Sequence, residues 1–280
     1  MIVAVTGARG FVGATLCPAL AARAHRPVAL PLHGVAEVRL PPQADTVVHL
    51  AALAHGRGAS PEELHRVNVD LADKVGRAAA AAGARMIFVS TVKVHGEQSD
   101  VPLDEGCPVA PRDPYAESKA RAEERLRRIA GLRLTVLRPP LMYGPGVKAN
   151  FRALMSALAR GVPLPLAGVA NRRSILYAGN LADAVLCCIA REASIERTYL
   201  LSDGPVLSSG ELCRRLGNAL GRPARLFRLP TRLLEALPGL RALTRSLEVD
   251  DTAIRRELDW RPAFSQQEGL AATAAWFGRG

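Results

Sequence analysis

The sequence predicts an α/β fold, a doubly wound parallel sheet with helices on both faces, followed by a smaller C-terminal mixed α/β lobe. Three observations carry this. Short apolar runs alternate with helical periodicity through the first half of the chain. A glycine-spaced turn stands directly after the first run. Beyond Tyr143-Gly144-Pro145-Gly146, proline and glycine become frequent and the alternation stops. At 280 residues the chain accommodates one large domain and a smaller lobe, and buries a core without disulfides or a structural metal.

In chain order, residues 2–6 read as a buried strand, 7–10 as a turn and 11–24 as a helix. Strands are expected at 27–30 and 46–50, and a long helix at 62–82. Residues 86–90 form the next strand, with a polar loop running to Asp113. A helix rich in Ala, Glu and Arg covers 115–129, and a strand covers 134–137 before Arg138-Pro139-Pro140. The first domain is placed at 1–143, with 174–195 returning to it. The second lobe takes 144–280, partly interleaved.

The apolar fraction of 49% and charged fraction of 22% exclude disorder, collagen and coiled coil. No apolar run reaches the roughly 18 to 20 residues that span a bilayer, and the first residues lack a basic signal region. A cytoplasmic protein with no membrane partner is expected. The net charge of +11 would suggest nucleic acid, but the basic residues include only four lysines (Lys74, Lys93, Lys119, Lys148). The arginines are spread along a chain with long Ala runs, which reads as codon bias; with 4% aromatics, no nucleic-acid partner is expected. Cys17, Cys107, Cys187, Cys188 and Cys213 have neither Cys-x-x-Cys nor metal spacing, so they read as unpaired structural thiols, and no metal is expected. His25, His33, His55 and His65 are scattered and read as solvated.

Thr6-Gly7-Ala8-Arg9-Gly10-Phe11-Val12-Gly13 places three glycines between a strand and a helix, the turn of a Rossmann-type dinucleotide site. Gly7 allows the tight bend, Gly10 lets a pyrophosphate approach the backbone N–H groups, and Gly13 lets the helix pack close to the sheet. The second strand ends Leu30-Pro31-Leu32-His33-Gly34, with no acid before Glu37 to hold a ribose 2′-hydroxyl. Arg9 is placed to meet a 2′-phosphate instead, so NADP(H) is favoured and NAD(H) is the alternative. The short stretch before Asp45 implies that one crossover element is reduced.

Tyr115 and Lys119 stand at i and i+4, on one face of a helix. A phenol with pKa near 10 is a poor base, and a neighbouring ammonium is expected to lower that value. Tyr115 then moves a proton at a substrate oxygen while hydride moves at carbon. Ser90-Thr91 ends a parallel strand, where such sheets place ligands, and supplies a hydroxyl for the same oxygen.

These residues resemble the extended short-chain dehydrogenase/reductase family, in its nucleotide-sugar epimerase/dehydratase branch. The resemblance runs through residues 6–13, His49-Leu50-Ala51-Ala52, Asn68-Val69, Ser90-Thr91, Tyr115 and Lys119, 137–146, 171–174 and 258–262. It implies Thr91, Tyr115 and Lys119 as catalytic residues. It implies cofactor contacts from Gly7, Arg9, Gly10, Phe11, Val12, Gly13, Leu50, Ala51, Ala52, Asn68, Tyr115, Lys119 and Pro139. Substrate contacts fall to Lys93, His95, Asn150 and Arg173, with Arg173 matching the family Arg that pairs with a diphosphate and Arg172 adjacent. The family often has Tyr where His95 stands, and Asp where Asn180 stands. Its 4,6-dehydratases carry Asp-Glu after the Thr; Val92-Lys93 here excludes dehydration. Residues 89–97, 146–151 and 171–174 look most like surface-polysaccharide enzymes of the UDP-N-acetylquinovosamine type. The expected reaction is therefore C4-keto reduction of a nucleotide 4-keto-6-deoxyhexose. The alternatives are 4-epimerisation with bound NAD, and a non-catalytic dinucleotide sensor or RNA-binding module. Relatives dimerise through the Tyr–Lys helix, so a homodimer is a family expectation.

Overall fold

The computed structural model describes residues 1–32, 37–53, 59–236 and 241–279; His33, Gly34 and His55 lie outside the described residues. Its strands are β1 (Ile2–Thr6), β2 (Arg26–Leu30), β3 (Ala44–His49), β4 (Arg85–Val89), β5 (Arg133–Arg138), β6 (Leu141–Tyr143), β7 (Ile175–Tyr177) and β8 (Arg197–Leu200). Six form one parallel sheet in the order β2-β1-β3-β4-β5-β8, and β6 pairs with β7 in a small second sheet. The order reverses between β1 and β3, which makes a switch point where ligands enter such sheets.

Helices α1 (Gly13–Ala22), α2 (Pro61–Leu64), α3 (Leu71–Ala81) and α4 (Pro114–Arg127) belong to the first half. They are followed by α5 (Ala149–Ala159), α6 (Ala178–Ala190), α7 (Ser209–Ala219), α8 (Thr231–Ala236), α9 (Arg241–Thr244), α10 (Thr252–Leu258) and α11 (Gln266–Phe277). Strand residues alternate between two cores, as a period of two requires. Val3, Val5, Val48, Ile87 and Leu137 pack with α1, α6 and α10, whereas Ala4, Val47, Met86, Phe88 and Val136 pack with α3 and α4. The central strands β1, β3, β4 and β5 are buried on both faces along most of their length, hence their apolar runs.

The return to the first domain reaches further than 174–195. Strand β8 closes the sheet, and Ile254, Leu258 and Trp260 pack under it. These segments lack the strand–helix alternation that marks the first half, so periodicity alone did not reveal them. A third core, including Tyr143, Phe151, Met155, Leu212, Leu216 and Leu270, builds the smaller lobe. Buried Asp203 staples the two: its Oδ2 accepts from the Tyr177 N–H (2.6 Å), the Tyr143 hydroxyl (3.1 Å) and Asn180 Nδ2 (3.3 Å). Asn180 also donates to the Phe264 carbonyl (2.8 Å) and accepts from the Phe264 N–H (2.9 Å). An amide satisfies both; an Asp there would face Asp203 with a second carboxylate. As the short stretch implies, residues 31–43 hold no helix or strand among those described, and β2 is the sheet edge.

Candidate active site

The in-register pairs Thr6↔His49 and His49↔Phe88 bring the strand ends to one edge of the sheet. The glycine turn follows β1, Leu50 follows β3, Ser90-Thr91 follow β4, and Pro139 follows β5. Together they open a cavity of about 560 Å³ that is also lined by Met142 of β6 and by Lys148, Arg173 and Leu247 from later in the chain. A larger groove, about 670 Å³, lies between residues 37–44 and α3 at the sheet edge, and contains none of the motif residues.

The turn is built around close backbone approaches. Gly7 has φ +67°, and a Cβ there would stand 2.9 Å from the Ala51 nitrogen. A Cβ on Gly13 would stand 2.4 Å from the Gly7 carbonyl oxygen and 2.5 Å from that of Ala8. Gly13 therefore serves the turn itself; the close helix–sheet packing expected from the sequence is not its tightest constraint. Helix α1 begins with no side-chain cap and no acid in its first turn. Its N-terminal dipole is left to an anion, so the cradle fits a pyrophosphate. Gly13→Ala should force the turn open. We expect dinucleotide affinity, read by calorimetric titration, to fall at least about tenfold. Wild-type affinity would remove the turn from the site.

Thr6 joins β1 to β3. Its hydroxyl oxygen accepts from the N–H groups of Leu50 and Ala51, both at 3.1 Å, and shares a hydrogen bond with His49 Nδ1 at 3.1 Å. His49 is fully buried against Phe88, and burial together with Lys119 pushes its pKa down to about 3. The sequence matched His49 to a family motif without a role; only the strand register shows that it underpins the turn.

Thr91 is the N-cap of a 3-10 turn, Val92–His95, and its oxygen accepts the Lys93 N–H at 3.3 Å. Its own proton is left to donate towards the cavity. Helix α4 starts one residue earlier than expected, because Asp113 caps it (Oδ1 to Ala116 N–H, 2.8 Å) and Pro114 occupies the first position. Tyr115 and Lys119 line the cavity beside Thr91. Lys119 Nζ lies 4.0 Å above the Phe88 ring centre, and burial pushes its ammonium down to about 7, with Glu123 partly opposing. The i, i+4 spacing of the pair predicts that Lys119 lowers the Tyr115 phenol. The fold does the reverse: burial, then the Asp113 charge, push Tyr115 up to about 12. Desolvation disfavours the charged form of each partner, so the neutral phenol of Tyr115 is favoured.

Of the expected cofactor contacts, Gly7, Gly10, Phe11, Val12, Gly13, Leu50, Ala52, Tyr115, Lys119 and Pro139 stand on the cavity wall. Arg9 is exposed on the turn, and Ala51 contributes its N–H to Thr6. Asn68 sits behind the wall in a π-helical turn, His65–Asp70, between α2 and α3. It accepts from the Leu53 N–H (2.7 Å) and donates to the Leu53 carbonyl (3.1 Å) and to Ser118 Oγ (2.8 Å), tying the loop after β3 to the Tyr–Lys helix. Among the expected substrate contacts, Lys93 and Arg173 line the cavity, with Lys93 paired to Asp113 at 2.8 Å. Asn150 is exposed at the start of α5 and off the wall, where Lys148 stands instead. His95 is also off the wall, buried against Arg138. Arg172 turns outward to a bidentate pair with Glu248 (2.6 and 2.8 Å). Among the other histidines, His65 pairs with Asp70 at 3.4 Å, and His25 is not simply solvated, since its Nδ1 is buried.

No helix among the described residues is long and apolar enough to cross a membrane, and no cluster of potential metal ligands occurs among them. Residues 3–201 match the model of the NAD dependent epimerase/dehydratase family. The chain is 36% identical over 253 residues to a UDP-glucose 4-epimerase of Vibrio cholerae, covering 82% of this chain and 76% of that one. Its fold is similar to RMD from Pseudomonas aeruginosa, solved with NADPH (TM-score 0.81, 22% identity, 100% and 99% of the two chains). It is equally similar to a UDP-glucuronic acid 4-epimerase from Bacillus cereus solved with NAD (TM-score 0.81, 19% identity, 100% and 99%). With the glycine cradle, the Tyr–Lys helix and the strand-end hydroxyl in one crevice, the chain belongs to the NAD-dependent epimerase/dehydratase family, a branch of the extended short-chain dehydrogenases/reductases.

Proposed function

We propose that the protein reduces the C4 ketone of a UDP-4-keto-6-deoxyhexose, in its N-acetylated form, with NADPH. The observation that carries this is that Tyr115, Thr91 and Lys119 line one cavity with the glycine turn, where burial favours the neutral phenol of Tyr115. Two donors beside one cavity suit a carbonyl oxygen about to gain negative charge. A dinucleotide held at the glycine turn and along Leu50 and Pro139 would supply the hydride for C4. Thr91 donates a hydrogen bond to the ketone oxygen, and Tyr115 passes its proton to that oxygen as the alcohol forms. Lys119, on the same helix face, stabilises the tyrosinate left behind, returns a proton to it, and is then re-protonated from solvent. Arg173, whose guanidinium burial holds below its usual pKa, and Lys148 face the substrate side and favour its diphosphate. Arg9 favours a 2′-phosphate, and Glu37 is already committed to Arg39 at 3.0 Å.

The second reading, C4 epimerisation with hydride removed and returned, is favoured by the Vibrio relative. The purified protein separates them. Reduction predicts one NADPH consumed per UDP-4-keto sugar and little retained dinucleotide. Arg173→Ala should then raise the sugar KM about tenfold while dinucleotide Kd stays within about twofold. Tightly retained NAD, with UDP-sugar 4-epimers interconverted without added cofactor, would replace reduction by epimerisation.

A further inference from the structure

His95 ends the 3-10 turn after Thr91 and lies buried behind the cavity wall. Its Nε2 is 2.9 Å from Arg138 Nη1, and its Nδ1 is 3.0 Å from the Pro108 carbonyl oxygen. A guanidinium only donates, so Nε2 accepts, and the ring proton sits on Nδ1 and goes to Pro108. The other nitrogens of Arg138 hold Glu123, Nε to Oε1 at 3.1 Å and Nη2 to Oε2 at 2.5 Å, with both side chains 5% exposed. Glu123 Oε1 also receives the Ser90 hydroxyl at 2.5 Å, and Oε2 receives Arg127 at 3.3 Å. Ser90 precedes Thr91, and Glu123 stands one turn after Lys119 and two after Tyr115 on α4. The series therefore ties together the ends of β4 and β5, the 3-10 turn and α4.

We propose that His95 is a positioning residue: as a neutral ring that receives Arg138 and donates to Pro108, it fixes the Arg138–Glu123 pair that grips Ser90 and α4, and so holds Thr91, Tyr115 and Lys119 in mutual register. The role rests on the catalytic arrangement proposed above. Protonating His95 removes the acceptor and sets an imidazolium against a guanidinium. The groups facing the ring are Arg138 on β5, Glu123 and through it Arg127 on α4, and the Cys107 and Pro108 carbonyls. Burial and then Arg138 hold the ring below its usual pKa, while the carbonyls and Glu123 partly offset them. The network is therefore intact above the usual histidine value and is lost as pH falls through the lower folded value.

The test compares wild type, His95→Tyr and His95→Phe. Tyr, the residue the family resemblance places there, carries an oxygen that can accept from Arg138. Histidine nitrogen NMR on the full chain should show the Nδ1–H tautomer at pH 7.5. NADPH Kd in wild type should weaken at least about threefold between pH 7.5 and 5. His49, pushed down to about 3, is silent over that range; Lys119, pushed down to about 7, gains its proton there in every variant, so the acid loss is read as the difference between wild type and His95→Tyr. His95→Tyr should keep the neutral-pH affinity and abolish the acid loss. His95→Phe should lower kcat about tenfold with sugar KM within about twofold, and His95→Tyr should restore kcat. An Nε2–H tautomer, an acid loss unchanged in His95→Tyr, or a change in sugar KM rather than kcat would overturn the proposal. Acid-sensitive NADPH binding cured by His95→Tyr, without any sugar turnover in wild type, would refute the reductase reading and leave this role standing.

Discussion

Tyr115→Phe should leave dinucleotide affinity within about twofold of wild type and lower sugar turnover roughly a thousandfold. The phenyl ring keeps the shape of the cavity wall and loses only the hydroxyl. In the proposed reduction Tyr115 supplies the proton that converts an alkoxide into an alcohol, and Thr91 cannot replace it without a route to re-protonation. The Lys93–Asp113 pair caps the helix and remains, so α4 keeps its start. Stopped-flow measurement of NADPH oxidation, beside calorimetry for binding, separates the effects. A variant retaining more than about a tenth of the wild-type rate would remove Tyr115 from the proton path.

Lys119→Met should disable the enzyme and stabilise the fold. Loss of the cation beside the phenol should cost turnover at least about a hundredfold. Stability moves the other way because the lysine is buried: its pKa falls from the usual 10.5 to about 7. The folded chain binds that proton less well than the unfolded chain, so the penalty is complete below pH 7 and shrinks as pH rises towards 10.5. Its upper bound is on the order of 5 kcal/mol, and relaxation around the ammonium leaves about 1–3 kcal/mol for Met to recover. Thermal unfolding at pH 7 should rise by roughly 3 to 8 °C, and by less at pH 9. A fall in Tm would mean that the lysine is stabilised by a stronger contact than Phe88 and Glu123 provide. The expected rise in Tm with loss of turnover would show function held at the expense of stability.

The parts of the site legible in the sequence are those whose meaning is local. The glycine spacing at 7, 10 and 13 is a backbone requirement, and a backbone requirement shows in the residues that meet it. Tyr115 and Lys119 share a face through helical periodicity alone. Asp113-Pro114 announces the helix start. The substrate side was harder to read. Asn150 and Lys148 are two residues apart, and only the turn into α5 decides that Lys148 reaches the wall. His95 resembled a substrate contact by its place after Thr91, yet Arg138, 43 residues on, draws it behind the wall.

The amino-acid sequence alone determined the parallel α/β sheet, the glycine turn and the placing of Tyr115 and Lys119 on one helix face, because each follows from near-neighbour periodicity and glycine stereochemistry. Tertiary structure alone decided the electrostatic state of that pair, raising Tyr115 and lowering Lys119 against the expectation from their proximity. It alone brought Arg173 and Leu247 to the cavity. Both outcomes depend on how much water the packed strands and lobes exclude, and desolvation is a property of residues distant in the chain.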